Sequence, residues 1–167
     1  MLSALFSGEL YEALILMFVS ATPVVELRGA IPLGAAQGFP FWETFTVCVI
    51  GNMLPVPFII LFARKVLGWL KKTRTFQRPI VWLERRVLKK ASKLRKYNLI
   101  ELGLLIFVAI PLPGTGAWTG AILAALLDIR IQRALPAILL GVLIAGFIVG
   151  GMSYGFIQAI SLFVPAV

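Results

Sequence analysis

Hydrophobic residues along the chain fall into four long blocks, and the polar and proline positions within and between them predict the helices. The second block, Phe41–Ala63, and the fourth block, from about Ala134 to Val164, are long and almost uninterrupted. A helix needs roughly 20 apolar residues to cross the hydrocarbon core of a bilayer. Both blocks are therefore predicted to form transmembrane helices.

The first block, from about Leu10 to Phe39, and the third, from about Leu99 to Leu127, are each divided near the middle by proline and glycine. Their pieces are 11 to 15 residues long, which is too short to cross a bilayer at about 1.5 Å per residue. We expect each block to form a re-entrant helical hairpin whose non-helical tip is buried in protein or lines a watery cavity. Four conventional short helices with their connections in water are the alternative.

Basic residues are concentrated between the second and third blocks. Residues 64–98 contain thirteen of the sixteen Lys and Arg residues and a single acid, Glu84. A short basic connection between membrane helices stays in the cytoplasm, so this segment is predicted to be cytoplasmic and both termini to lie outside. The predicted fold is an all-α integral membrane protein with two inverted repeats, at about 9–63 and 99–164. Each repeat is a re-entrant hairpin followed by one transmembrane helix.

The basic connection has a helical periodicity of its own. In PIVWLERRVLKKASKLRKY, apolar residues recur at helical spacing with Lys and Arg on the other face, as in an amphipathic helix on a membrane surface. Each base near the surface attracts anionic lipid by about 1 kcal/mol. The residues expected to bind anionic headgroups at the cytoplasmic face are Trp82, Arg85, Arg86, Lys89, Lys90 and Lys93. A segment that only fixes the topology is the alternative, and nucleic acid is not an expected partner because both flanks lie in the bilayer.

Composition supports the membrane assignment and restricts the chemistry. Hydrophobic residues make up 60% of the 167 residues and charged residues 14%, whereas soluble domains are roughly 45–50% apolar and about 25% charged. No polar linker separates the blocks, so residues 1–167 are predicted to form a single membrane domain. The sequence has no histidine and one cysteine, Cys48. No internal disulfide, metal site, cofactor or enzymatic activity is therefore expected.

Residues 21–39 of the first block contain one acid and one base, Glu26 and Arg28, close to the point where the block divides. A charge in the middle of a bilayer costs roughly 2.5–3.5 kcal/mol on insertion scales, which points to a functional role. Side chains two residues apart do not face each other on a regular helix, but in a broken segment both can turn toward one cavity. A pair that only neutralises itself and stabilises the hairpin tip is the alternative.

The third block is divided by the segment PLPGTG, whose prolines end one helix and whose glycines permit close backbone approach. Thr115 is predicted to cap the helix that restarts near Ala117, and the first hairpin is predicted to restart near Arg28. Two helix N-termini and an arginine that meet near the midplane favour an anionic ligand such as a phosphate or carboxylate. Turns that bind no ligand are the alternative.

The second block contributes a polar residue, Asn52, which needs a hydrogen-bond partner in lipid. It also contains Pro55 and Pro57, which are predicted to kink its helix. Packing of Asn52 against the hairpin is as good an explanation as a place on a substrate path. The predicted substrate- and ion-binding residues are Glu26, Arg28, Pro32, Asn52, Pro111, Gly114, Thr115 and Gly116.

The segments TPVVELRGAIPLG and IPLPGTGAWTGA resemble those of the small multidrug export proteins of bacteria and archaea, and the resemblance covers nearly the whole chain. The chain is more distantly similar to the DedA superfamily. That resemblance implies two opposed re-entrant hairpins and movement of lipid-linked phosphates, coupled to protons or another cation gradient. It implies that Glu26 and Arg28 are the charged residues of the first hairpin, and that Pro111, Gly114 and Thr115 form the second tip. Unlike the DedA pattern, that second tip has no arginine.

The expected function is a secondary transporter or flippase in a bacterial or archaeal cytoplasmic membrane, coupled to protons or cations, for an amphipathic anion such as a lipid-linked phosphate. A small multidrug exporter for hydrophobic cations, centred on Glu26, is one alternative. A structural or membrane-remodelling protein without transport is another. The fourth block has two small-xxx-small pairs that permit close helix contact inside the monomer or across a homodimer. They are Gly146 with Gly150 and Gly151 with Gly155.

Overall fold

The computed structural model describes residues 8–73, 78–82, 85–87, 89, 99–112 and 114–163. These residues form seven helices and contain no strand, and further helical stretches lie at 78–82 and 85–87, between the fourth and fifth helices. The helices are α1 (Gly8–Ala21), α2 (Glu26–Ala36), α3 (Phe41–Met53), α4 (Val56–Lys72), α5 (Ile100–Ala109), α6 (Ala117–Leu126) and α7 (Ile131–Phe163). The prediction of an all-α chain is confirmed for this part of the sequence.

Two helical runs, Phe41–Leu70 and Ile131–Gln158, are long and apolar enough to cross a membrane, with mean hydropathies of 2.2 and 2.3. Only 33% and 39% of their apolar windows are buried inside the protein, whereas the core helix of a soluble protein is mostly buried. Large side chains such as Phe58 and Phe62 are exposed. Apolar surface of this extent is covered by lipid in a membrane protein.

The first of these runs is broken where its prolines predicted a kink. Helix α3 ends at Met53 and α4 begins at Val56. Because Pro55 and Pro57 have no N–H, the carbonyls of Gly51 and Met53 lose their helical donors. Helix α7 also contains a proline, Pro136, but continues without a break to Phe163.

The described residues group into two compact units. The first contains the residues up to Leu54 and those from Val142 onward, and the second contains those from Pro55 to Gly141. In the first unit, α1 packs on both α2 and α3, and α2 packs on α3. In the second unit, α6 packs on both α4 and α5. Each candidate span therefore contributes one half to each unit.

Phenylalanine rings fill the space above glycines in the first unit. An added Cβ on Gly146 would lie 2.8 Å from the ring of Phe45, and one on Gly150 would clash with Phe41. The first small-xxx-small pair is thus used for packing inside the monomer. The second pair, Gly151 and Gly155, has nothing within 4 Å of an added Cβ.

The turn that follows α2 is built in the same way as the turn that follows α6, ninety residues later in the sequence. In each, three consecutive N–H groups donate to the end of the preceding helix, which satisfies carbonyls that a helix end leaves unpaired. The bonds are Gln37 to Leu33, Gly38 to Ala35 and Phe39 to Gly34, and then Leu127 to Leu123, Asp128 to Ala125 and Ile129 to Ala124. The residue that donates second has a positive φ in both turns, 82° at Gly38 and 53° at Asp128.

A side chain from the second half of a span holds each of these turns, again at equivalent positions. In the first unit the Tyr154 hydroxyl donates to the Phe39 carbonyl at 2.8 Å. In the second unit the Arg64 guanidinium donates to the Ile129 carbonyl. The two donor side chains lie ninety residues apart in the sequence, and so do the two acceptor carbonyls. A tyrosine and an arginine therefore make equivalent hydrogen bonds.

A third correspondence lies at close helix contacts. A Cβ on Gly51 in α3 would clash with the Met17 carbonyl of α1, and a Cβ on Gly141 in α7 would lie 2.8 Å from the Leu105 carbonyl of α5. Helices approach this closely only where one of them has no side chain. The turn, the bond that holds it and one close glycine contact in the first unit therefore have counterparts about ninety residues away in the second.

We expect Gly51→Ala to destabilise the protein by about 1–3 kcal/mol, the usual cost of overpacking a close contact. Gly68→Ala is the matched control, since nothing lies within 4 Å of a Cβ at that position of α4. There the higher helix propensity of alanine stabilises by up to about 1 kcal/mol. Thermal unfolding of the purified variants measures both effects. If Gly51→Ala and Gly68→Ala unfolded at the same midpoint, the close α1–α3 contact would be contradicted.

Candidate functional site

Glu26 and Arg28 lie together in the first turn of α2, which begins at Glu26, two residues before the predicted restart. The Glu26 side chain is buried, with 6% of its surface exposed, and Arg28 is half-buried. The Glu26 carboxylate acts electrostatically on the Arg28 guanidinium. Buried charges are tolerated where they are paired, and this attraction offsets part of the cost of burying the Arg28 guanidinium.

The backbone at Glu26 is strained. Its φ is 51°, in the left-handed region that costs a residue with a Cβ of order 1–3 kcal/mol. Its N–H still donates to the Thr22 carbonyl, at 3.2 Å, which closes the turn between α1 and α2. Strain of this kind persists only where the surrounding structure fixes it, and it is common at functional sites.

Pro32 lies inside α2, one turn after Arg28. Because a proline has no N–H, the Arg28 carbonyl lacks its helical donor. Arg28 therefore carries a charged side chain at a turn of α2 that has one helical hydrogen bond fewer than a regular helix.

Asn52 is completely buried, at 0% exposure, near the end of α3. Among the described residues, neither its side-chain nitrogen nor its oxygen has a hydrogen-bond partner. One turn earlier on α3, the buried Ser20 hydroxyl of α1 donates to the Cys48 carbonyl at 2.6 Å. The partner that the sequence led us to expect for Asn52 is thus not found in the described part of the protein.

Buried polar side chains in the described residues occur in the first unit alone. They are Ser20, Glu26, Thr44 and Asn52. The residues ninety positions after the last three are Gly116, Ala134 and Val142, and they are buried too. The recurring backbone therefore carries polar groups in one copy and small or apolar groups in the other.

The second tip has the predicted turn but not the predicted cap. Gly114 has a φ of 85°, and α6 begins at Ala117 with Gly116 as its N-cap and no capping side chain. Our prediction that Thr115 caps this helix was wrong. Its hydroxyl lies 2.6 Å and 2.8 Å from the carbonyls of Ile110 and Leu112, so it closes the end of the preceding segment instead.

The predicted site residues belong to two different units. Glu26, Arg28, Pro32 and Asn52 lie in the first, and Pro111, Gly114, Thr115 and Gly116 lie in the second. A pocket that both sets share remains a prediction. Within the described residues, no group of three His, Cys, Asp or Glu side chains could hold a metal ion.

Sequence reasoning missed a polar cavity in the second unit. Arg133 and Glu101 form an ion pair at 3.4 Å beside a cavity of about 230 Å³. The cavity is lined by Ile100, Glu101, Leu127, Asp128, Ile129, Arg130 and Arg133. The two charges are far apart in the sequence, and only the turn that brings α7 back beside the start of α5 makes them neighbours.

The equivalent region of the first unit is an apolar groove of about 500 Å³. It is lined by Ala13, Leu16, Phe39, Trp42, Glu43, Thr44, Thr46 and Val47. Glu43 and Arg133 occupy equivalent positions ninety residues apart. Comparing positions ninety residues apart in the sequence is the step that could have pointed to Arg133 and hence to the second cavity.

On the basic connection, the Arg86 guanidinium stacks over the Trp82 ring at 5.1 Å, and Arg85 and Lys89 are exposed. Arginine over tryptophan is a favourable cation–π contact. Lys90 and Lys93 lie outside the described residues. Binding of this segment to anionic lipid stays a prediction.

Residues 26–148 match the model of a protein family described as "Putative small multi-drug export protein". The chain belongs to this family. The match covers well over half of the chain, begins at Glu26 and includes Arg28, Asn52 and the second tip. The resemblance to small multidrug export proteins is thereby confirmed, and the distant similarity to the DedA superfamily stays a prediction. No curated protein and no solved structure matches the chain.

The backbone strain at Glu26 has a measurable consequence. Glu26→Gly and Glu26→Ala both remove the carboxylate, so the difference between their free energies of unfolding reports the backbone strain alone. We expect the glycine variant to be more stable by about 1 kcal/mol, because glycine adopts a positive φ without a Cβ clash.

The exposed position Ala36, the last residue of α2, is the control, where Ala36→Gly should destabilise by up to about 0.5–1 kcal/mol because its φ is not positive. Thermal or denaturant unfolding measures each variant. A more stable alanine variant at position 26 would mean that this residue is in ordinary helical conformation.

Proposed function

We propose that this member of the small multidrug export family is a secondary transporter or flippase for an amphipathic anion, such as a lipid-linked phosphate. The observation that carries the proposal is the buried, strained Glu26 in the same helical turn as Arg28. Arg28 binds the anionic group, and Glu26 takes up the coupling proton.

The charge balance of the pair makes the two binding events interdependent. While Glu26 is ionised, it is the counter-charge of Arg28. When Glu26 is protonated, Arg28 needs a new counter-charge, because an unpaired ion in an apolar interior is costly. An anionic substrate supplies that charge, so proton and anion bind together, and release of both restores the internal pair.

The proposed fold is a pair of inverted repeats, each with a re-entrant hairpin. The support is the ninety-residue recurrence, the short helices α1, α2, α5 and α6, and the basic segment between the repeats. Transporters of this architecture bind substrates and ions at broken helices near the bilayer midplane. We propose from the positive-inside rule that the basic segment and the polar cavity of the second unit face the cytoplasm.

Export of hydrophobic cations is the second candidate function. The family description favours it, as does the deeper burial of Glu26 compared with Arg28. In this scheme the cation and a proton compete for the Glu26 carboxylate. A structural or membrane-remodelling role without transport is the third candidate, and a homodimer that uses the open Gly151 and Gly155 face is compatible with all three.

We expect anion binding to strengthen as pH falls through the range in which Glu26 becomes protonated. Glu26→Gln imitates the protonated acid and should bind the anion at all pH values, with no proton coupling and no pH dependence beyond that of the phosphate itself. Arg28→Ala should raise the dissociation constant of the anion by about tenfold or more, which corresponds to a loss of at least about 1.4 kcal/mol of binding free energy. Titration of the purified protein with a short-chain lipid phosphate at several pH values measures this.

Flux into reconstituted vesicles separates the three candidates, with Arg130→Ala as control because Arg130 is exposed and lies outside the hairpins. Anion or lipid-phosphate movement that Arg28→Ala removes supports the leading candidate. Drug efflux that survives Arg28→Ala but not Glu26→Gln supports the second. If neither substitution alters any flux in folded protein, transport is rejected.

A further inference from the structure

We propose that Asn52 forms part of a binding site for an alkali metal cation, with Na⁺ the best fit, inside the first unit beside the break between α3 and α4. Binding of the ion does not require transport. If the transport function proposed above is correct, this cation is a second coupling ion beside the proton on Glu26.

The first observation is the free-energy cost of burying the Asn52 side chain. A buried amide without hydrogen bonds costs about 1–3 kcal/mol for each unsatisfied group. Asn52 has both side-chain polar atoms unsatisfied among the described residues, at 0% exposure. A ligand that is absent from the isolated chain removes this cost when it binds.

The second observation is a surplus of oxygen atoms over donors around the same turn. Pro55 and Pro57 leave the Gly51 and Met53 carbonyls without helical donors, and these residues flank Asn52 on the chain. They are also the last carbonyls of α3, the negative end of the helix dipole. Broken membrane helices commonly coordinate Na⁺ with carbonyls of this kind, so the surplus favours a cation over an anion.

The third observation comes from the recurring structure. Val142 stands ninety residues after Asn52, is equally buried at 0% exposure, and lies where α7 is unbroken. Packing at this position therefore accepts an apolar side chain of similar size. The amide and the helix break occur together in one copy and are both missing from the other, as expected if they serve the same ligand.

The chemistry of these groups selects the class of cation. An amide oxygen and main-chain carbonyls are hard, uncharged oxygen ligands, which suit Na⁺ or K⁺ and do not suit transition metals. Divalent ions such as Ca²⁺ are usually held by several carboxylates, and the residues from Cys48 to Met53 are all uncharged. A bound water molecule is the competing occupant, since it could satisfy both ends of the amide.

The test measures thermal unfolding of the full chain in detergent, in NaCl, KCl, LiCl or choline chloride at equal ionic strength. A ligand that binds the folded state raises the midpoint in a saturable way. We expect Na⁺ to stabilise the native protein and choline to have no such effect. Asn52→Val, which installs the residue found at the equivalent position, should weaken the Na⁺ response at least about tenfold in apparent affinity. It should also unfold at a higher temperature than the native protein in choline, because the unsatisfied amide is gone.

Thr46→Val is the matched control, because Thr46 is an exposed residue of the same helix, and it should keep the full Na⁺ response. Equilibrium binding of radioactive Na⁺ to the native protein is a second measurement, and it does not depend on whether any variant folds. Saturable binding that Asn52→Val removes supports the site. An equal response to choline, or an unchanged Na⁺ response in Asn52→Val, overturns it and assigns the amide to water. Neither result depends on flux, so failure of the ion site is distinguishable from failure of transport.

Discussion

The cost of holding charged and polar groups in an apolar interior is the constraint on which the rest of this structure depends. In a chain that is 60% hydrophobic, Glu26 is buried in a strained conformation and has Arg28 in the same helical turn. Each of these charges would be expensive alone, and together they are tolerated. In the transport that we propose, this electrostatic interaction links the protonation of Glu26 to the occupancy of Arg28.

Positions ninety residues apart in the two units share a turn, a bond and a close glycine contact, and they differ in the side chains that they bury. Both have the same turn after the second short helix, the same side chain to carbonyl bond across it and the same glycine at a helix crossing. The first copy buries Glu26, Thr44 and Asn52 where the second has glycine, alanine and valine. The second unit thus has the same turn without polar side chains at these three positions, which indicates that the turn does not require them.

Helix positions could be predicted from the sequence because the determinants are local. Runs of apolar residues, prolines and glycines set where each helix starts and stops, and the break at Pro55 appeared where expected. The site was less accessible because its features depend on contacts between distant segments. The positive φ of Glu26 depends on the packing around the turn, and Thr115 turned back to carbonyls of the preceding segment instead of capping α6. Two repeats were predicted, but the position-by-position correspondence was hidden because Tyr154 and Arg64, which are unlike in sequence, make equivalent bonds.

The most direct test of the account is sided labelling of single cysteines with a membrane-impermeant maleimide, in a Cys48→Ala background. The cysteines replace one residue in each of four turns: Val24, Gln37, Leu112 and Arg130. If both short-helix pairs are re-entrant and inverted, position 37 reacts only from outside and position 130 only from the cytoplasm, while positions 24 and 112 resist the reagent from both sides. Free reaction of position 24 from the cytoplasm would mean that α1 and α2 cross the membrane. The Glu26–Arg28 pair would then lie at an aqueous surface, which contradicts the account.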